Sequence, residues 1–233
     1  MHKPIIRFLK RQWREWRNTV LFFVCVVVPV KSSLADWNWV PTGSMNPTIV
    51  EGDLVYVNKL AYDLRVPLTK HSLKHFADPE RGDIAVLLSP EDETRLVKRV
   101  IGVPGDTLEM WNNTLYVNGV RADYSDLAYE EIQDLEEALR AISLFAEENI
   151  EGHAHSVMIT PGIPSNKRSF AKVTVPDGHY FIMGDNRDNS HDSRAYGCVE
   201  RSQFLGEATH VLVSFNMLDK YQPRLGRFFT GLN

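Results

Sequence analysis

Arg95-Leu96-Val97-Lys98-Arg99-Val100-Ile101 is the stretch whose reading decides the fold. Its apolar and β-branched residues mark a strand, and period-two alternation puts Lys98 on the same face as Leu96 and Val100. A lysine amine on an apolar strand face is a potential base. An ordinary lysine titrates near ~10.4, so neutralising it at pH 7 costs roughly 4.6 kcal/mol. Full burial lowers the titration point by up to ~3–5 pH units and removes most of that cost. Arg99, on the other face, is expected to extend its cation to solvent at a strand edge.

Outward from this strand the chain reads as more short strands, at 54–58, 84–88, 108–111, 115–117, 172–175, 180–183 and 211–215. Asn112-Asn113 between two of them reads as a hairpin, and Asn118-Gly119 marks a second tight turn. No internal repeat or low-complexity segment is evident. The pattern is that of a mainly β domain, with antiparallel sheets partly coiled into a barrel. Residues 127–149 depart from it. There Leu127, Ile132, Leu135, Leu139 and Ile142 approximate helical spacing, and Glu130, Glu131, Asp134, Glu136 and Glu137 cover the remaining face. A solvated helix in a peripheral subdomain is expected.

With 233 residues, 43% of them hydrophobic, the chain can bury a sizeable core. A net charge of −4 argues against a general nucleic-acid binder. Positive charge gathers at the start, where Lys3, Arg7, Lys10, Arg11, Arg14 and Arg17 precede an apolar run from Val20 to Val30. By the positive-inside rule the N-terminus stays cytoplasmic and the remainder is exported. Eleven apolar residues fall short of the ~20 of a spanning helix, and Ser33-Leu34-Ala35 has the look of a small-residue cleavage site, so one reading is a removable signal peptide. The other is an anchor over 19–40, with Lys31 snorkelling, Trp37 and Trp39 at one interface, Trp13 and Trp16 at the other, and an amphipathic approach on Ile5, Ile6, Phe8 and Leu9. Cys25 lies in the apolar run and Cys198 follows Tyr196-Gly197, so no disulfide framework is indicated. Cys198 is expected to be a small core residue.

A base needs a hydroxyl to deprotonate, and Pro41-Thr42-Gly43-Ser44-Met45-Asn46-Pro47-Thr48 offers one in a segment too irregular for helix or strand interior. The run Gly43-Ser44-Met45-x-Pro47-Thr48, then Gly52-Asp53, then Lys98-Arg99-Val100-Ile101-Gly102-x-Pro104-Gly105-Asp106, then Gly184-Asp185-Asn186-Arg187-Asp188-Asn189-Ser190-x-Asp192-Ser193-Arg194 resembles the type I signal peptidases, membrane-anchored serine–lysine endopeptidases that remove signal peptides from exported proteins. Four blocks in order span residues 42–197.

The resemblance implies Ser44 as nucleophile, Lys98 as general base, Ser190 holding the lysine amine, and Asp192 with Arg194 as a supporting ion pair. It implies retention of the anchor directly before the serine and a variable domain inserted between the lysine block and the last block. The expected organisation is a basic cytoplasmic segment at 1–18, the anchor, a catalytic β core at 41–120 and 172–215, the inserted subdomain at 121–171, and a tail at 216–233. The implied partners are signal peptides of secretory preproteins, membrane lipid and the export machinery, at the outer face of the cytoplasmic membrane. No cofactor is implied.

A serine–lysine pair hydrolyses amides without histidine, because a desolvated amine takes the hydroxyl proton and later returns one to the leaving amine. The Ser44 backbone N–H is the natural first oxyanion donor, and the Thr42 hydroxyl two residues upstream is the candidate second. Met45, Ile84 and Val86 are candidate walls of pockets for the small residues before the scissile bond. The acceptor-rich loop at 184–194 has the wrong ligand order for calcium, with Arg187 at its third position. His153-Ala154-His155 and His71-x-x-x-His75 lack companions for zinc, and Pro67 and Pro79 confine any helix carrying the second pair to two turns. Two rival readings remain: a self-cleaving serine–lysine peptidase of repressor type, disfavoured by the apolar segment and the last block, and a non-catalytic scaffold that binds signal peptides.

Overall fold

The computed structural model describes residues 3–69, 71–217 and 219–232. Its first element, α1 (Lys3–Phe22), continues as helix through residue 34, with wider turns at Phe23–Val27 and Val30–Leu34. Within it Glu15–Leu34 is long and apolar enough to cross a membrane, at mean hydropathy 1.4. The side chains of Ile5, Ile6, Phe8 and Leu9 lie outside the described residues. The helix stops short of Val40. Ala35–Trp39 is strand β1, whose alternating Asp36, Trp37, Asn38 and Trp39 pair along all of its five residues with β2 (Asp53–Asn58). Trp37 and Trp39 therefore belong to a strand rather than to the end of a membrane helix. Lys31 reaches back over the Trp37 ring, 4.6 Å from its centroid.

β3 (Asp63–Arg65) and β4 (Ser72–His75) form a hairpin, so His75 sits on a strand and shares no helical face with His71. β5 (Ile84–Leu88) and β6 (Arg95–Gly102) follow. Next come β7 (Thr107–Trp111), β8 (Thr114–Val117), β9 (Val120–Arg121) and β10 (Asp123–Ser125). Both predicted turns are there: Asn112 and Asn113 have φ of 47° and 63°, and Asn118 and Gly119 of 53° and 80°, the positive values that a tight hairpin turn requires. α2 (Glu137–Ile142), β11 (Leu144–Ile150), β12 (His153–Ile159), β13 (Phe170–Thr174), β14 (His179–Met183), α3 (Ser193–Tyr196), β15 (Val199–Glu200), β16 (Phe204–Asn216), β17 (Gln222–Pro223) and β18 (Thr230–Gly231) complete the chain.

The main sheet runs β1-β2-β16-β5-β6-β14-β15, antiparallel at every pairing, with β17 and β18 joined to β16. Register shifts along the thirteen residues of β16, where it pairs first with β5 and then with β2, bend the sheet. Cross-strand pairs Ile84↔Arg99, Ala85↔Lys98, Val86↔Val97 and Leu87↔Leu96 sort β5 and β6 into two faces. Ile84, Val86 and Val97 join Val40, Met45, Ile49, Val55 and Val211 on one. Ala85, Leu87, Leu96 and Val100 join Tyr62, Tyr180, Ile182 and Phe204 on the other. Each such buried side chain contributes ~1.5–3 kcal/mol, so both faces of β6 are fixed by packing.

A second sheet of order β13-β7-β8-β9 and a third of order β10-β11-β12 form the periphery. This layer takes in residues 107–120 as well as the expected insertion. The long helix expected over 127–149 shrinks to the six residues of α2, because Leu144–Ile150 pairs along its whole length with β12 and also with β10. A helix well under ~12 residues has little stability of its own, and the seven-residue ladder wins. Ile132, Leu135, Leu139 and Phe145 still pack together with Val50 and Met158, whereas Ile142 is exposed. Within the expected tail, β17 and β18 extend the sheet, and Arg227 bonds the fully buried Asp53 at 2.7 Å.

Candidate active site

Ser44 lies in a single 3₁₀ turn, Gly43–Met45, entered from Thr42 in extended conformation. Two anchors hold the turn. Met45 and Ile49 sink into the core cluster on one side. On the other, the loop after β14 grips the backbone: Asn186 N donates to Ser44 O (3.2 Å) and Asn186 Nδ2 to Gly43 O (3.0 Å). Thr48 Oγ1 donates to Asp185 Oδ2 at 2.6 Å, fixing the segment just downstream. A Cβ at Gly184 would collide with Ser44 O and the Ser190 side chain, so only glycine allows this approach.

Lys98, 3% exposed, brings Nζ to 2.7 Å from Ser44 Oγ and 3.0 Å from Val97 O. Burial pushes its titration down to about 8, Arg194 and Lys167 adding to the shift while Asp192 and Asp185 oppose it. Neutralising the amine at pH 7 then costs about 1.4 kcal/mol in place of the ~4.6 of a free lysine. The serine hydroxyl and the buried amine are thus in hydrogen-bond contact.

Asp192 and Arg194 form the expected pair, bidentate at 2.8 Å on each arm with both side chains almost fully buried. Burial alone would raise the Asp192 carboxyl, but Arg194 holds it below the ordinary range. Asp192 Oδ2 also accepts from Gly184 N at 3.0 Å, tying the pair to the glycine beside Ser44. Ser190 is buried against Gly184, yet its Oγ has no hydrogen-bond partner among the described residues. The second acceptor of the Lys98 amine is the Val97 carbonyl, not Ser190. Thr42 is exposed, and its hydroxyl makes no capping bond within the turn. Met45, Ile84 and Val86 are all in the cluster beneath the serine turn, each at most 3% exposed.

Arg99 reverses the expectation for it. It is 1% exposed, donates from Nε and Nη2 to Asp185 at 2.9 Å each, and caps Gly82 O with Nη1 at 2.8 Å. A buried guanidinium survives only with such partners, and the partner lies 86 residues away. Burial would raise the Asp185 carboxyl; Arg99 instead holds it low. A second buried pair, Arg187 with Glu148 of β11, joins the loop to the peripheral layer, and His155 Nε2 lies 3.3 Å from the same carboxylate. Met158 N donates to Asp185 O and Arg187 N to Met158 O, both at 2.9 Å, so β12 is laced to the site loop. Lys167 donates to Ser190 O at 2.8 Å, and Arg194 donates to Lys167 O at 3.2 Å. Sequence reading missed Arg99, Asp185, Arg187, Glu148 and Lys167 as parts of the site; the available clue was three charged residues within Gly184-Asp185-Asn186-Arg187-Asp188, too many for a free turn.

Comparison with known proteins gives a consistent result. The family model described as "Signal peptidase, peptidase S26" matches residues 13–213. A signal peptidase I of Pseudomonas aeruginosa is 38% identical over 209 residues, covering 84% of this chain and 70% of that protein. One of Rickettsia typhi is 32% identical over 245 residues, covering 91% and 90%. The crystal structure of a signal peptidase I from Enterococcus faecalis is 32% identical and covers 57% of this chain and 99% of that one, at a TM-score of 0.36.

Proposed function

The chain belongs to the signal peptidase family, peptidase S26, and from this we propose that Ser44 and Lys98 are the nucleophile and general base with which it works. Membership makes it a membrane-anchored serine endopeptidase that removes signal peptides from preproteins. The observation that carries the dyad is the 2.7 Å contact between a buried lysine amine and a hydroxyl held in an irregular turn.

In the working state the neutral Lys98 amine accepts the Ser44 proton as Oγ attacks the scissile carbonyl. The oxyanion is stabilised by Ser44 N–H and by the Thr42 hydroxyl, which is free of competing turn bonds. The ammonium then gives its proton to the leaving amine, and the regained amine activates a water that releases the acyl group. Asp192 and Arg194 keep the floor of the site in place through Gly184, and the Arg194 cation helps hold the amine's titration low. Ser190, buried beside Gly184 and the Asp192 carboxylate, is the group assigned to hold the amine in the working state. Met45, Ile84 and Val86 shape the apolar ground under the residues that precede the cut.

The anchor is the apolar part of the Glu15–Leu34 helix after Arg17, with the six basic residues before Val20 on the cytoplasmic side and the β domain on the outer or periplasmic face. Membrane lipid and the export machinery are its neighbours there. The deciding experiment incubates purified full-length protein with a signal-bearing precursor. Cleavage at the signal junction, abolished by Ser44→Ala with the circular dichroism spectrum unchanged, supports the dyad; cleavage by Ser44→Ala within tenfold of wild type rejects it.

A further inference from the structure

The charge balance where the helix meets the β domain is uneven. A cavity of about 500 Å³ opens there, with Lys31, Lys59, Arg65 and Arg95 in its lining. Among the described residues of that lining, Asp36 is the sole carboxylate. Asp36 is already committed. It takes Arg95 at 2.9 Å, Lys59 at 3.2 Å, Lys31 at 3.8 Å and the Trp37 backbone N–H at 2.9 Å. Three cations share this one carboxylate and Arg65, itself paired with Asp63 at 3.4 Å, lines the same cavity, so positive charge outweighs negative there, with Lys59 and Arg65 largely buried.

Two further details point the same way. Arg65 is nine-tenths buried and spends Nη2 on the Phe204 carbonyl and on Asp63, but its Nε–H has no hydrogen-bond partner. A buried donor left unpaired among cations calls for an acceptor that carries negative charge. Lys59 is 12% exposed at its side chain and holds the carbonyls of Lys31 and Ser32, so it cannot swing out to water without releasing the helix end. Burial lowers its titration, and Arg95 and Arg65 lower it further against the pull of Asp36.

The position of the cavity selects the anion. Lys31 and Ser32 belong to the last turn of Glu15–Leu34, and Val28, one turn earlier within that span, forms part of the wall with Leu205 facing it from β16. A site built half from the end of a membrane helix and half from the domain above it lies at headgroup depth. We propose that this cavity binds the phosphodiester of one anionic phospholipid, with Lys31, Lys59, Arg65 and Arg95 around the phosphate and Val28 against the start of its acyl chains. The bound lipid fixes the angle between helix and domain, because Lys59 and Arg95 belong to the β domain while Lys31 belongs to the helix. This inference rests on Glu15–Leu34 spanning the bilayer.

The test uses the full-length protein in a neutral detergent and native mass spectrometry, with dioleoylphosphatidylglycerol as the probe and dioleoylphosphatidylcholine and inorganic phosphate as comparison arms. Wild type is expected to retain one phosphatidylglycerol, with phosphatidylcholine at least about tenfold weaker. Lys31→Gln/Arg95→Gln removes two cations that are each about half exposed and should reduce retention by about tenfold or more. Lys59→Gln should do the same, and should it lose its fold by circular dichroism the double variant decides alone. Equal retention by wild type and the double variant overturns the proposal, as does equal retention of the two lipids. Displacement of the lipid by millimolar phosphate identifies a soluble anion as the occupant and overturns the lipid assignment. Carbonate extraction of membranes tests the span separately, so a failed anchor and an empty cavity give different results.

Discussion

Lys98→Met should make the protein inactive and, near neutral pH, more stable. The fold lowers the Lys98 titration from an ordinary 10.5 to about 8, and each pH unit of that shift is worth about 1.4 kcal/mol. Below pH 8 the amine is protonated both folded and unfolded, and the folded state carries the full penalty of about 3 kcal/mol for burying it. Between pH 8 and pH 10.5 the unfolded chain binds more protons than the folded one, so wild-type stability gains on this account as pH rises. Above 10.5 the amine is neutral in both states and the penalty is gone. Methionine matches the length of the stem without the charge. It gives up the bonds to Ser44 Oγ and Val97 O, at about 1 kcal/mol each. A net gain of about 1 kcal/mol is expected at pH 7, crossing to a net loss at about pH 9 and reaching a loss of about 2 kcal/mol above pH 10.5.

The assay is guanidinium unfolding of wild type and variant in the same neutral detergent at several pH values, read as the difference between them so that other titrating groups cancel. A variant less stable than wild type by a constant amount from pH 7 to pH 10.5 would refute the reasoning, because it would mean that the amine is solvated. The same titration governs the rate. With the neutral amine as the proposed base, wild-type kcat/KM should climb with pH through about 8; an ascending limb near the free-lysine value would sink the buried-base assignment.

Thr42→Val removes a hydroxyl with little change of shape and should lower kcat by ~10²–10³, with Thr42→Ser active; a fully active valine variant assigns the second oxyanion donor to another group. Lys167→Met removes a cation that helps depress the Lys98 titration, so the ascending limb of kcat/KM should move to higher pH, and an unmoved limb with lower activity would reduce Lys167 to a strut for Ser190. Glu148→Gln leaves the Arg187 guanidinium buried without its carboxylate and should cost ~3–5 kcal/mol in unfolding free energy, while a loss under ~1 kcal/mol would show that water reaches the pair.

The strands were legible because their packing is local. The short apolar, β-branched runs at 84–88 and 96–101 mark strands by composition, and Asn112-Asn113 and Asn118-Gly119 carry the backbone preference of the turns they make. The long helix over 127–149 was misread because Leu144–Ile150 has a spacing that suits a helix or a strand, and only the partner β12 arbitrates between them. The limit of the membrane helix was misread for a like reason: Trp37 and Trp39 suit a bilayer interface as well as an edge strand, and pairing with β2 decides for the strand. Arg99 and Arg187 were illegible in a stronger sense. Nothing within a few residues of either says that a carboxylate waits 86 or 39 positions away, so a cation on a strand or in a polar loop reads as solvated.

Arg99 also bears on how the site could use the proposed lysine base. Lys98 and Arg99 are adjacent, so the pleat sends them to opposite faces of β6. Lys98 meets Ser44, while Arg99 takes both oxygens of Asp185, and Oδ2 of that carboxylate also accepts from Thr48, four residues beyond the serine. A slip of one residue in the pairing of β6 would exchange the two cations. A guanidinium that never deprotonates would then face the nucleophile, and the amine would face a carboxylate that keeps it charged. The register is fixed from both sides, by Ala85 opposite Lys98 on β5 and by the irregularity between Phe181 and Ile182 that sets Met183 opposite Arg99 on β14. On the proposed mechanism the buried ion pair serves catalysis at a distance: by taking arginine's fork, Asp185 helps hold Lys98 in the place where losing a proton is easy.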